Sequence, residues 1–202
     1  MMTRQRILAA SLGLLALCGC QSTQSSVSSE GWLSPSPALE QRLKDEAQRM
    51  PWTHGIERVE LIQWFASVGE PAYPTLLALA RDARRDVASA GWAALGATRD
   101  SRLVESLRKI PFQSSPENRD LGLERARAFL RLGDWSQVPV LIEGLGDERL
   151  MVRGLSIQAL FEATHETFGY DAKAAAEPRQ ASMARWNEWW QSRSQDALLK
   201  RD

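Results

Sequence analysis

Cysteine is nearly absent: the 202-residue chain has two, Cys18 and Cys20, and none later. Beyond position 20 there is no disulfide to form and no thiolate to bind a metal, so a fold built there must stand on its apolar core. Histidine is equally scarce. His54 and His165 lie far apart with no His-x-x-x-His spacing, which argues against a zinc site. Net charge is lacking too, because 25 basic residues face 25 acidic ones. Without a basic footprint, nucleic acid is not an expected partner. Also missing are a Gly-rich phosphate loop, a Gly-x-Ser-x-Gly elbow and the alternating apolar pattern of strands. No cofactor and no metal are therefore expected. No apolar run approaches the roughly 20 residues that cross a bilayer. What the chain does have is 44% apolar and 25% charged residues, the composition of a folded domain.

The amino terminus has the layout of a signal peptide: Arg4 and Arg6, then the apolar run from Ile7 to Leu17, then small residues. Leu17-Cys18-Gly19-Cys20 resembles the lipobox of bacterial lipoproteins, with Leu three residues before a Cys and a small residue directly before it. That resemblance implies cleavage before Cys20 and attachment of lipid to its thiol. Cys18 fits less well, because bulky Leu17 would stand where a small residue is wanted. Removal of 1–19 takes Arg4 and Arg6 from the 25 basic residues and leaves 23. Residues 20–37, rich in Ser with Pro35 and Pro37, read as the lipidated Cys and a flexible tether. In lipoproteins an Asp after the lipidated Cys favours retention at the inner membrane. Gln21 instead points to the periplasmic face of the outer membrane, if the cell has one.

After Pro37 the apolar spacing is helical throughout. Helices are expected at 38–50, 55–68, 71–81, 84–97, 101–109, 117–132, 136–145, 149–165 and 178–197, and no strand. The segments also repeat. Tyr73-Pro74-Thr75-Leu76-Leu77 aligns with Val138-Pro139-Val140-Leu141-Ile142, and at the same offset Asp82 aligns with Asp147, Arg84 with Arg149, Val87 with Val152 and Leu95 with Leu160. A weaker copy lies between, from Asp100 through Leu103 and Leu107 to Ala126 and Leu132, with a longer loop at Pro111 to Pro116. A degenerate pair begins near Ala38. Each unit is two helices, with Pro opening the first in the two clear copies and an Asp-bearing turn before the second. Ala90, Gly91, Ala93 and Ala94 are small enough to let helices approach closely.

These units resemble the HEAT repeat, most clearly at Leu141 to Asp147 with Val152-Arg153 and Ala159-Leu160. The copy at Pro74 to Leu95 is also similar, although Ala88 replaces the usual Arg. The resemblance implies an all-α fold: a right-handed α-α superhelix of about three to four helical pairs over 38–165. Residues 166–202 would be a loop and a carboxy-terminal capping helix. That ending, Gly169-Tyr170-Asp171 followed by a helix with Trp186, Trp189 and Trp190 on one face, is similar to the one after the last repeat of some bacterial HEAT-like proteins. Two uses of the tryptophans stay open: covering the last pair's apolar side, or an aromatic site for a peptide, glycan or headgroup.

Arginine recurs at similar places in successive units: Arg81, Arg84, Arg85, Arg125, Arg127, Arg131, Arg149 and Arg153. Arg84, Arg85, Arg127, Arg131 and Arg153, with Trp189 and Trp190, are the candidate binding residues. The competing reading makes the arginines helix-surface residues paired with nearby acids. Glu57 with Glu60, and Glu162 with Glu166, are closely spaced carboxylates on helix faces, read as solvated rather than catalytic. The expectation is a membrane-anchored, non-catalytic scaffold for a protein or peptide partner in the cell envelope. The alternatives are an envelope structural or assembly factor contacting peptidoglycan or an outer-membrane complex, and a HEAT-like lyase or enzyme specificity subunit.

Overall fold

The structure is a computed structural model and describes residues 31–194. Cys20, the signal segment 1–19 and most of the tether lie outside the described residues. Within them the chain is all-α, with nine α-helices and no strand element. The helices are α1 (Pro37–Arg49), α2 (Gly55–Val68), α3 (Tyr73–Leu79), α4 (Arg85–Ala97), α5 (Val104–Arg108), α6 (Arg119–Arg131), α7 (Val138–Gly144), α8 (Leu150–Thr164) and α9 (Ala176–Ser194). None is long and apolar enough to cross a membrane.

The expected helices are present, and their starts differ in a systematic way. A short 3-10 turn precedes α3, α5, α6 and α7, at Glu70–Ala72, Ser101–Leu103, Pro116–Asn118 and Trp135–Gln137. Two of these turns have a common cause, since Asp100 and Asp134 each accept the N–H two residues on, from Arg102 and Ser136. That Asx-type turn tightens the chain before the α-helix can begin. Asp82 and Asp147 do the same before α4 and α8, accepting from the N–H groups of Arg84 and Arg149. In three of the four turns the residue two on is an Arg, and its guanidinium folds back onto the same carboxylate. This Asp-x-Arg clasp is the most regular local device of the chain.

The amino-terminal boundary also differs from the sequence reading, which carried the tether to residue 37. Trp32 is 7% exposed and meets Tyr73 edge-on at 5.1 Å, while the Leu33 N–H donates to Glu70. Among the described residues packing is already present at Trp32, and α1 opens at Pro37 with Ser36 as its cap.

Helix α2 packs on α4, α4 on α6 and α6 on α8, while α3 lies on α4, and α7 on α6, α8 and α9. Two apolar clusters result. The first runs from Trp32 to Leu132 around Phe65 and Trp92, and the second from Leu123 to Trp186 around Leu141 and Leu160. Helix α6 divides them, giving Ala128, Phe129 and Leu132 to one and Leu123, Ala126 and Leu130 to the other. Close approach is by small residues. A Cβ on Gly91 would lie 2.5 Å from the Ala80 nitrogen, and one on Gly96 would lie 2.8 Å from the Ala128 Cα. Between α7 and α8 the close approach is at Gly144, where a Cβ would collide with the Ser156 side chain.

Candidate functional site

The loop between α5 and α6 helps to wall a concavity. After Ile110, which is buried, residues 111–115 run without regular structure to the turn at Pro116–Asn118. Asn118 closes this loop by donating to the Gln113 carbonyl at 3.1 Å. Phe112 folds inward against Gly122 of α6, where a Cβ would come within 3.0 Å of its ring. A glycine on α6 thus lets the loop lie close. Between the loop, α6, α7 and the start of α8 lies an open cleft of about 770 Å³, walled by Phe112, Leu123, Val140 and Val152. Ser114, Asn118 and Gln137 add hydroxyl and amide groups, and Arg125 and Glu143 add charge. A smaller hollow of about 260 Å³ adjoins it through Pro116, Arg119 and Asp120 and reaches Asp147 and Arg149.

The hollow is acidic on balance, with Glu117, Asp120, Asp147 and Glu148 against Arg119 and Arg149, and both arginines are paired within it. Asp147, 3% exposed, contacts Arg149 at 3.2 Å and Arg119 at 3.3 Å, and Arg149 continues to Asp120 at 2.7 Å. The Arg149 hydrogen bond, with Arg119 nearby, holds the Asp147 carboxyl below its ordinary range. Arg125 is different. Its guanidinium carbon lies 4.3 Å from the Phe112 ring centre and 4.9 Å from that of Trp92. Its Nε is buried with no hydrogen-bond partner, and no carboxylate pairs with it among the described residues. Burial alone pushes its pKa below the ordinary arginine value.

Most of the arginines singled out from the sequence are engaged within the fold. Arg84 clasps Asp82 at 2.7 Å, Arg127 is 8% exposed and donates to Glu124, and Arg131 spans to Glu162 on α8 at 3.0 Å. Arg153 donates to the carbonyls of Asp147, Glu148 and Ala172, tying the turn before α8 to the segment before α9. Arg85 is exposed near Glu117. They do not converge on one free face.

Trp189 and Trp190 are half-buried against the second cluster. Trp189 stands 5.4 Å from Trp186 and 6.2 Å from Trp135, and Trp186 itself is fully buried beside Phe168. Exposed apolar side chains lie elsewhere, chiefly Trp52, Ile56 and Met151. The residues that sequence reasoning passed over are Phe112 and, within the wider arginine set, the solitary position of Arg125. The signals were the long loop at Pro111 to Pro116 and the lack of any acid one helical turn from Arg125.

Neither histidine of the chain lines the cleft. The lining offers apolar walls, neutral hydrogen-bonding groups and one cation without a counter-ion, which is the chemistry of recognition. No protein-family profile, curated protein or solved structure matches this chain.

Proposed function

We propose that this chain is a membrane-anchored bacterial lipoprotein, lipidated at Cys20, that serves as a non-catalytic scaffold for a protein or peptide partner in the cell envelope. Its helical pairs would form a short right-handed HEAT-like superhelix, with α9 capping the last pair. The observation that carries the reading is the chain-order packing of α2, α4, α6 and α8, with the Asp-x-Arg clasp recurring at the turns. A stack of pairs presents an extended surface, which is what such repeats offer a partner. The lipid at Cys20 would hold that surface at the membrane. One acyl chain binds only marginally and two bind stably.

The test uses living cells fed a clickable palmitate analogue, comparing the unaltered chain with Cys20→Ala. A photo-crosslinking residue at Val140, which is 37% exposed on the cleft wall, captures what lies against it. Label lost from Cys20→Ala, together with a discrete crosslinked partner from the membrane fraction, supports the reading. Label retained refutes the anchor, and the absence of any crosslinked partner refutes the scaffold.

A further inference from the structure

We infer that the cleft beside α6 is a binding site for a peptide carboxylate, with Arg125 as its cationic anchor and Phe112 and Val140 as its apolar walls. The inference rests on the scaffold reading and adds the chemistry of what is held.

The one other arginine on the cleft lining, Arg119, already has a carboxylate, since it shares Asp147 with Arg149 of the adjoining hollow. Arg125 has none, although desolvation makes an uncompensated cation costly. Stacking against Phe112 and Trp92 offsets part of that cost and fixes the guanidinium plane. A fixed plane is a ready fork for the two oxygens of a carboxylate, because little freedom remains to be lost when they dock. The cleft is also far larger than a lone ion needs, at about 770 Å³, and falls within the roughly 300–1,000 Å³ typical of sites for small molecules. Its amide and hydroxyl groups suit peptide main chain, and its apolar walls suit a side chain next to the carboxylate. Glu143 and Asp120 on the lining disfavour a phosphate or any polyanion and leave a monoanion as the fitting occupant.

The experiment titrates the full chain, in detergent micelles, with acetyl-Leu-Phe-Ala bearing a free terminal carboxylate, with the same peptide as its terminal amide, and with inorganic phosphate. Calorimetry reads the affinities. The acid is expected to bind at least tenfold more tightly than the amide and than phosphate, since a charge-assisted pair is lost in the amide. Arg125→Gln should remove the difference, and Arg49→Gln, at an exposed residue of α1 paired with Glu46 and Glu57, should keep it. Equal binding of acid and amide by the unaltered chain overturns the inference without recourse to any variant. Phosphate binding as tight as the acid overturns it too, as does an equal effect of Arg49→Gln. If cells yield a crosslinked partner while acid and amide are not distinguished, the scaffold stands and the carboxylate site falls. If the acid is preferred and no partner is ever captured, the reverse holds.

Discussion

Trp186 is the sharpest test of how α9 belongs to the fold. The side chain is fully buried, 4.7 Å from Phe168 and 5.4 Å from Trp189, both nearly edge-on. Truncating so large a buried aromatic removes its transfer free energy and leaves a cavity, a loss of about 3–5 kcal/mol. In a domain of this size each kcal/mol lowers the melting temperature by roughly 2–4 °C, so Trp186→Ala should melt roughly 6–20 °C lower. Trp186→Phe should lose much less, about 1–2 kcal/mol, because it also discards an indole N–H that is buried without a partner. The control is Trp52→Ala, since Trp52 is 82% exposed and its loss should stay within about 0.5 kcal/mol. Thermal unfolding followed by circular dichroism at 222 nm ranks the three. If Trp186→Ala melts with Trp52→Ala, α9 is not part of the second core and the capping argument fails.

Arg153→Ala removes three donations to backbone carbonyls and should cost about 1.5–3 kcal/mol by urea titration. If it instead abolished partner capture while leaving stability unchanged, its role would be in binding. Gly91→Ala gains helix propensity but drives a methyl into the Ala80 backbone, so a net loss of about 1–2 kcal/mol is expected in the same titration. A gain would mean that α3 and α4 stand further apart. In acid, Asp82 is held near a pKa of about 2 by its Arg84 hydrogen bonds. Its folded pKa lies below the unfolded value of about 3.9, so its contribution is complete above that value and is lost as pH falls toward 2. Melting temperatures from pH 5 to pH 2 should fall less steeply for Asp82→Asn than for the unaltered chain, and identical slopes would refute the clasp's role.

The helices could be read from the sequence because the local signals agree: apolar residues at helical spacing, with Pro74 and Pro139 in the first turns of α3 and α7 and Asp82 and Asp147 at the turns before α4 and α8. Where boundaries shifted, the reason is local as well. Asp100 stands just before the helix expected at 101–109 and Asp134 just before the one expected at 136–145, and their carboxylates bind the N–H two residues on, where the chain makes a 3-10 turn first. The packing of Trp32 could not be read in this way, because a lone aromatic in a Ser- and Pro-rich stretch has no period to betray it. Only its partner Tyr73 on α3 decides that it is covered.

The arginines show where single-sequence reasoning stops. Arg102 reaches Glu70, Arg149 reaches Asp120 and Arg131 reaches Glu162, and each partner lies about one helical pair away in the chain. Such links follow from stacking, so identifying them requires knowing which unit rests on which. The side chain left over was visible in principle by a different rule. Helical neighbours three or four residues away are the acids an arginine can reach without tertiary help, and for Arg125 these positions are Leu121, Gly122, Ala128 and Phe129. An arginine with no acid three or four residues away, on a helix that meets a long loop, finds a partner only across the fold or outside it. Here the fold supplies only aromatic rings. On the carboxylate proposal, the anion that completes the site is the one the cleft holds.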